Sequence, residues 1–323
     1  MTAILEAKGI TRIYGKKHAV DNVSFNLTDE SVYALIGESG SGKTTLARIL
    51  GGIEKQFSGK SYVVPDKRVV LVQQDFVIWP ELSVAENISI GCRSKADRKQ
   101  WIPRIVDLIE LSDMQFCKAG QLSYGQQQRV AIARALAARP DIIILDEPFA
   151  HLDVCLRQSM WNRCIEVFKE MGVTSLWITH NVHDALPVTD TVMVMVNGRL
   201  EQVGSPQEVY RQPRSHSVAR LTGRYNYFSE SEWKQLGIDS EHTFLADAKC
   251  VGCRPEQLTL VEATGGAFDG ANLRPWFMGP ATLYRLESDT LSPLWVTCTT
   301  EVDPTKKYRL ELIGKPFVLN GND

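Results

Sequence analysis

The alternation of apolar and polar segments along the first 200 residues predicts an α/β fold. Several short segments are continuously apolar, which is typical of strands buried on both faces of a largely parallel sheet. The predicted strands cover residues 3–10, 18–27, 32–36, 61–64, 69–72, 142–145, 174–179 and 192–196. A helix predicted at 43–50 follows the third strand after a glycine-rich loop.

Between Pro80 and Pro140 the spacing of apolar residues changes from that of strands to that of helices, which predicts a helical insert in this α/β domain. Helical periodicity occurs there at 84–90, 97–111 and 124–138. After Gly204 comes a turn-rich connection with one short helix, and from about Asn226 short strands are broken by glycine and proline. We therefore expect an α/β domain over 1–225, with its insert at about 80–140, and a small, β-barrel-like domain over 226–323.

Composition supports two compact domains and excludes several protein classes. The chain has 323 residues, 44% hydrophobic and 23% charged, which is ordinary for globular proteins and excludes collagen-like, disordered and coiled-coil chains. No apolar run approaches 18 residues, so we expect work at a membrane only through a partner. The seven cysteines form no disulfide framework and nothing resembles a signal peptide, which predicts reduced thiols in the cytoplasm. Cys250 and Cys253 have C-x-x-C spacing but lack the second pair that a zinc site needs.

The charge balance argues against a nucleic-acid partner. The net charge is −2, and from Asn226 onward nine basic and fourteen acidic residues give −5, which leaves +3 for the first 225 residues. A C-terminal part with this excess of acid is a poor binder of a phosphate backbone.

A glycine-rich loop after the third strand predicts a nucleotide site. Gly37 to Thr44 fit the pattern G-x-x-x-x-G-K-[ST], and the backbone N–H groups of such a loop surround phosphate oxygens at a helix N-terminus. Lys43 would reach the β and γ phosphates, and the Thr44 hydroxyl would hold Mg²⁺. The predicted cofactors are thus ATP and Mg²⁺, bound by a contiguous set of residues: Gly37, Glu38, Ser39, Gly40, Ser41, Gly42, Lys43, Thr44 and Thr45.

A second candidate element is the apolar strand at 142–145, which runs into two carboxylates. Asp146 would act on the metal through its water shell. Glu147 could accept a proton from the water that attacks the γ phosphate, which is a general-base role. Together with the loop, this pair predicts a P-loop ATPase.

At this point the sequence resembles the ATP-binding subunits of ABC transporters. Leu122-Ser-Tyr-Gly-Gln126, followed by Gln-Gln-Arg-Val-Ala-Ile-Ala-Arg-Ala-Leu, is similar to the family's signature motif, about 20 residues before the acidic strand. Ser123 is a natural N-cap, and the helix that it opens would present its positive end to a phosphate. In the family that phosphate belongs to ATP on the other subunit. The resemblance therefore implies a head-to-tail homodimer in which Ser123, Gly125 and Gln126 contact the partner's nucleotide.

Other positions match the family one by one. Gln74 matches the glutamine that touches the metal and the attacking water, and His180 matches the switch histidine at the γ phosphate. Asp153 matches the loop that crosses the dimer interface, and Tyr14 stands where the family stacks an aromatic ring on adenine. The resemblance thus implies catalytic roles for Lys43, Gln74, Glu147 and His180, and metal contacts for Thr44, Gln74 and Asp146.

Two positions depart from the family pattern. Tyr124 replaces a glycine in the signature, and Ala150 replaces a serine in the crossing loop, which removes a hydrogen bond of about 1 kcal/mol. Neither replaces a catalytic candidate, so we expect hydrolysis to survive.

Further residues are similar to the branch that serves binding-protein-dependent importers. These are Asp-Glu-Pro-Phe149, the linker-like segment 219–226, and Gly252-Cys-Arg-Pro-Glu256 in the expected β domain. That domain would support dimerisation or sense a regulator. The branch implies two membrane permease subunits, an external substrate-binding protein and a place on the cytoplasmic face of the cell membrane. Its members handle ferric iron, polyamines, sugars, molybdate, sulfate and thiamine.

Three alternatives stay open at this stage. The chain could be an exporter's ATPase subunit, a soluble ABC ATPase acting on nucleic acid or ribosomes, or a regulatory nucleotide-binding module. The single cassette argues against the second, and the presence of both Glu147 and His180 argues against the third. The sequence does not name the transported substrate, because the permease and the binding protein would select it.

Overall fold

The computed structural model describes residues 3–75, 77–150, 152–236, 250–265, 268–287 and 292–319. The chain divides into two compact units, Met1–Pro206 and Gln207–Asp323. Strands of the first unit are β1 (Ala3–Tyr14), β2 (Lys17–Thr28), β3 (Val32–Ile36), β4 (Ser58–Val63), β5 (Val69–Val72), β6 (Ile142–Asp146), β7 (Thr174–Thr179), β8 (Thr191–Val196) and β9 (Arg199–Gly204). Its helices are α1 (Lys43–Leu50), α2 (Val84–Gly91), α3 (Lys95–Leu108), α4 (Tyr124–Ala137), α5 (Val154–Glu170) and α6 (Val182–Ala185).

The first unit is built on a six-stranded sheet of order β5-β6-β7-β3-β8-β9, parallel except for the β8–β9 pair. Every residue of β3, β6 and β7 is buried, as the continuous apolar runs predict. A separate antiparallel sheet, β2-β1-β4, joins the same core, where Leu5, Leu35 and Leu46 of β1, β3 and α1 pack together. The predicted α/β fold with a largely parallel sheet is confirmed.

The helical insert consists of α2, α3 and α4, and each of these helices begins after a serine whose hydroxyl accepts a backbone N–H from the first turn. The bounds of α3 differ from the predicted helix at 97–111. Helix α3 starts at Lys95 rather than at residue 97. It also ends before residue 111, because Glu110 has a left-handed backbone with φ of 54°. Among the helices that the structure describes, none is both long enough and apolar enough to span a membrane.

The second unit contains short antiparallel sheets, so the small C-terminal β domain is confirmed. Among its described residues the sheets have the orders β10-β11-β18, β12-β17-β13 and β14-β15-β16. Their strands are β10 (Asn226–Phe228), β11 (Cys250–Cys253), β12 (Leu258–Glu262), β13 (Phe268–Asp269), β14 (Arg274–Phe277), β15 (Thr282–Leu286), β16 (Leu294–Cys298), β17 (Lys307–Leu312) and β18 (Phe317–Leu319). Residues 237–249 of the predicted domain lie outside the described residues.

In the described part of this segment the α-helices are α7 (Pro206–Arg211), α8 (His216–Thr222) and α9 (Glu230–Gln235). The second unit therefore begins earlier than the predicted boundary at 225/226. The reason lies in Arg254, just after β11, whose guanidinium donates hydrogen bonds to the carbonyls of Tyr210 and Ala219. These bonds attach α7 and α8 to the β sheets.

Candidate active site

The order of the central sheet brings the main candidate residues to one edge. Strands β5, β6, β7 and β3 are consecutive and parallel, so their carboxyl ends lie side by side. Gln74 follows β5, Asp146 and Glu147 lie at the end of β6, His180 follows β7, and the glycine-rich loop follows β3. Open α/β sheets bind ligands at this edge.

The glycine-rich loop has backbone positions that only glycine fits. Gly42, which precedes α1, has φ of 106°, and a Cβ atom there would lie 1.9 Å from the Ala19 carbonyl oxygen. A Cβ atom on Gly37 would lie 2.3 Å from the Met195 carbonyl oxygen. The loop is thus held close to β2 and β8. Ser39 is exposed in the loop, and Thr45 lies in the first turn of α1.

The Lys43 ammonium is held inside this loop. Its Nζ donates hydrogen bonds of 2.8 Å to the carbonyl oxygens of Gly37 and Glu38. Burial lowers the pKa of Lys43, while the negative charges of Glu147 and Asp146 oppose that shift. The loop therefore fixes one positive charge beside two carboxylates.

Asp146 is almost fully buried, with 2% of its surface exposed. Burial raises its pKa, and a hydrogen bond with the Thr44 side chain acts in the opposite direction. Within the described residues, Asp146 Oδ1 and Ser41 Oγ are buried and have no hydrogen-bond partner. A carboxylate oxygen and hydroxyl oxygens are the ligands that a hard divalent cation prefers, and a buried oxygen atom without a partner is the exception in folded proteins. The oxygen atoms of Asp146, Ser41 and Thr44 therefore suit such a cation.

Glu147 and His180 form a direct pair. His180 Nδ1 lies 3.0 Å from Glu147 Oε1, and the Glu147 side chain is 16% exposed against 56% for His180. Glu147 has a positive φ of 49°, and its N–H donates a 2.9 Å hydrogen bond to the Ile178 carbonyl oxygen. A non-glycine residue keeps this conformation only when its surroundings hold it, so the backbone that carries the carboxylate is held by its neighbours.

Sequence reasoning missed a further contact to Glu147. Gln128, in the second turn of α4, is 2% exposed, and its Nε2 donates a 3.2 Å hydrogen bond to the Glu147 carbonyl oxygen. This contact joins the signature helix to the general-base candidate within one chain. Gln128 belongs to the signature stretch, and a glutamine in a helix gives no local signal for a partner 19 residues away.

The signature residues form the N-terminus of α4. Ser123 is the N-cap, with a reciprocal pair of hydrogen bonds in which its Oγ accepts from the Gln126 N–H and its N–H donates to Gln126 Oε1. A Cβ atom on Gly125 would lie 2.5 Å from Leu152 Cδ2, so this position packs against the crossing loop. Tyr124 is 47% exposed at the same helix end.

Two predicted binding residues lie farther from the sheet edge. Asp153 caps α5 and accepts a 2.9 Å hydrogen bond from the Leu156 N–H, which is a structural role in this chain. Tyr14, at the end of β1, is 46% exposed and donates a 2.9 Å hydrogen bond to Glu54. The Arg12 guanidinium lies 4.2 Å from the Tyr14 ring centroid. Arg12 was not predicted, although residues two apart on a strand share a face.

Comparisons with known proteins agree with these motifs. A family model described as ABC transporter matches residues 20–150. The chain is 32% identical over 277 residues to the Fe(3+) ions import ATP-binding protein FbpC of Escherichia coli O157:H7, with 79% of each chain covered. It is also 32% identical to the spermidine/putrescine import ATP-binding protein PotA of Mesoplasma florum, with 92% of each chain covered. The sulfate/thiosulfate import ATP-binding protein CysA of Vibrio vulnificus is 33% identical, with 79% of this chain and 80% of that protein covered.

Solved structures are similar over about two thirds of the chain. A dimeric ATP-binding cassette, MJ0796, in a post-hydrolysis state bound to ADP and Pi, is 28% identical with a TM-score of 0.56, covering 62% of this chain and 98% of that one. The ATP-binding cassette MJ1267 of an ABC transporter is 27% identical with a TM-score of 0.61, covering 69% of this chain and all of that one.

Proposed function

Because the chain belongs to the ATP-binding proteins of ABC transporters, we propose that it is the ATP-hydrolysing subunit of an importer. The observation that carries the ATPase part is the group at the sheet edge, where the Glu147–His180 pair lies beside buried Lys43 and Asp146. The import part rests on relatives named for import, one of which is similar over 92% of this chain and thus over both units.

The proposed reaction is attack of water on the γ phosphate of ATP. Glu147 accepts the proton of the attacking water, and His180, 3.0 Å away, keeps that carboxylate oriented. Lys43 and the N–H groups of the glycine-rich loop stabilise the charge that develops on the phosphate oxygens. Gln74, in the loop after β5, would contact the attacking water.

The residues also fit Mg²⁺. Thr44 and Gln74 would hold the ion, and Asp146 would act on its water shell, which agrees with the buried Asp146 oxygen that has no hydrogen-bond partner among the described residues. When bound, Mg²⁺ neutralises charge on the β and γ phosphates.

The assembly that we propose has two copies of this chain. Ser123, Gly125 and Gln126 at the N-terminus of α4, together with Asp153, would complete the nucleotide site of the second copy, while Tyr14 stacks on adenine. A structural relative, MJ0796, is described as dimeric. At the cytoplasmic face of the membrane, α2, α3 and α4 would contact two permease subunits that receive substrate from an external binding protein.

A substitution of Glu147 tests the hydrolytic part. We expect Glu147→Gln to keep ATP binding, because the loop is unchanged, and to lower turnover by roughly 10²- to 10⁴-fold, the scale for a positioned general base. Steady-state ATPase assays and nucleotide titrations of both proteins measure this. Glu166→Gln, which removes a carboxylate in α5 remote from the sheet edge, serves as the control. Near-normal turnover of Glu147→Gln would remove Glu147 from the mechanism.

An uptake assay tests the direction of transport. Cells that lack the chain are complemented with the parental or the Glu147→Gln form, and accumulation of labelled ferric iron, spermidine and sulfate is measured. We expect the parental form alone to restore uptake of one of these substrates. Restored efflux of a preloaded substrate, without restored uptake of any, would favour the exporter alternative.

A further inference from the structure

Outside the ATPase site, the second unit contains a cluster of a cysteine, a histidine and a tyrosine. Cys250 begins β11, His216 begins α8, and Tyr225 immediately precedes β10. The Cys250 Sγ lies 3.5 Å from His216 Nε2, and His216 Nδ1 lies 3.0 Å from the Tyr225 hydroxyl. Each ring nitrogen of His216 therefore has one partner.

These distances allow the histidine to act as a base toward the thiol. If Nδ1–H donates to the Tyr225 oxygen, Nε2 is free to accept the thiol proton. The imidazolium that results donates from both nitrogens, to the tyrosine oxygen and to the thiolate sulfur, so no side chain has to move. A nucleophile, a base within hydrogen-bond reach and a third group that orients the base form the arrangement of activated nucleophiles.

The surroundings of the cluster are compatible with an anionic sulfur. Burial raises the pKa of Tyr225, so its hydroxyl stays neutral and available to the imidazole. Two cations, Arg220 on α8 and Arg254 after β11, act on the same tyrosine, and Tyr227 contacts the His216 ring edge-on at 5.4 Å between centroids.

The other cysteines provide a comparison within the same chain. Burial raises the pKa of Cys164 and of Cys253 to about 12, which makes them inert. Cys117 and Cys155 are exposed. Within the part of the chain that the structure describes, Cys250 is the cysteine whose sulfur has a histidine nitrogen at hydrogen-bond distance.

We propose that Cys250 is a reactive thiol, activated by His216 and positioned by Tyr225, that is modified by hydroperoxides and by small alkylating electrophiles. With hydrogen peroxide, the thiolate sulfur attacks one oxygen, an S–O bond forms and the O–O bond breaks. Sulfur is oxidised by two electrons to a sulfenic acid and the peroxide is reduced. The leaving hydroxide takes the proton from the His216 imidazolium and departs as water.

Competitive alkylation of the full-length protein tests the proposal. The protein is treated with limiting iodoacetamide at pH 7, and the labelled fraction of each cysteine is followed by peptide mass spectrometry. An ordinary thiol is a few per cent thiolate at this pH, so we expect Cys250 to react at least about tenfold faster than the exposed Cys117 and Cys155. A parallel treatment with hydrogen peroxide and dimedone should trap the sulfenic acid at Cys250 first.

Variants separate activation from exposure. His216→Asn should lower the Cys250 rate to or below that of Cys117, and Tyr225→Phe, which keeps the ring, should lower it severalfold. Labelling of buried Cys253 and Cys298 reports any unfolding of the unit. If His216→Asn exposes these two cysteines, the rate of Cys250 in Tyr225→Phe decides whether the cluster activates the thiol. Cys250 reacting no faster than Cys117 and Cys155, or a rate unchanged in the folded variants, would overturn the proposal.

Discussion

At the scale of single residues, Glu147 shows how the chain directs a carboxylate. Its left-handed backbone is unfavourable for a residue with a side chain, yet its N–H is bonded to Ile178 and its carbonyl to Gln128. The first bond joins Glu147 to β7, the strand paired with β6, and the second joins it to α4. The orientation of the general-base candidate therefore depends on neighbours that take no part in the reaction.

Gln128 gives a prediction at this scale. Gln128→Met removes the hydrogen bond to the Glu147 carbonyl while keeping the volume of the side chain, and such a bond is worth about 1 kcal/mol. We expect turnover to fall about fivefold, since 1.4 kcal/mol corresponds to tenfold, with the KM for ATP little changed. Steady-state kinetics measures both quantities.

The neighbouring Gln127 supplies the matched control. Its amide donates to the carbonyls of Ala119 and Leu122 rather than to Glu147, so Gln127→Met removes a similar side chain without that contact. Equal effects of the two variants on turnover would show that Gln128 acts through general helix stability and would contradict the positioning role.

The sequence was sufficient to predict Lys43, Asp146 and Glu147 as one site, because the glycine pattern and the apolar strand before the acidic pair are local signals. Their roles remain predictions. The partners Gln128 and Arg12 were not predicted, since a side-chain bond to a distant carbonyl, or a stacking contact on a strand, requires the tertiary structure.

At the scale of elements, the stretch Gly252-Cys-Arg-Pro-Glu256 connects α7, α8 and the β sheets. A Cβ atom on Gly252 would lie 2.1 Å from the Phe317 ring, so a larger residue would push β11 away from β18. Arg254 is 1% exposed, and its guanidinium donates to four backbone carbonyls and to the Thr222 hydroxyl. Glu256 accepts a 2.7 Å hydrogen bond from Tyr210. Gly252, Arg254 and Glu256 thus each have a packing or bonding reason for their place in the stretch.

The prediction at this scale concerns Arg254. Arg254→Met would remove the hydrogen bonds that the buried guanidinium donates to carbonyls on α7 and α8, which costs about 3 kcal/mol in the stability of the second unit. Denaturant unfolding, followed by labelling of buried Cys253 and Cys298, measures the change. Arg254→Lys keeps the charge but not the planar set of donors, so we expect a smaller loss. A stability equal to the parental one in Arg254→Met would contradict the role assigned to these bonds.

Elements were predictable to the extent that their apolar pattern is strong. Buried parallel strands such as β3 and β7 match their predicted bounds because every residue in them is apolar or small. In the second unit the sequence predicts short strands but not where each begins and ends. Strand β14 shows the reason, because all four of its residues are exposed and its sequence has no alternation of apolar and polar residues.

At the scale of the whole molecule, the division at Pro206 shows that the α7–α8 segment belongs with the β sheets. The turn-rich connection after Gly204 marks this place in the sequence, but the bonds from Arg254 that attach the following helices to the β sheets are visible only in the tertiary structure. All the candidate catalytic residues lie in the first unit, whereas the Cys250 cluster lies in the second.

The central claim is that each ATP site is built from two copies of the chain. In this proposal one copy would supply the loop with Lys43, and the other would supply the α4 N-terminus with Ser123. Lys43→Ala and Ser123→Arg should each be inactive as homodimers. A mixed dimer places both lesions at one site and leaves the other site intact.

Mixing the two inactive variants and measuring ATPase activity tests this claim most directly. With random exchange and independent sites, we expect about a quarter of the parental rate to return, because half of the dimers are mixed and each has one intact site. Mixing two differently tagged Lys43→Ala samples is the control and should stay inactive. No recovery, although mass measurement shows mixed dimers with bound ATP, would contradict the shared site.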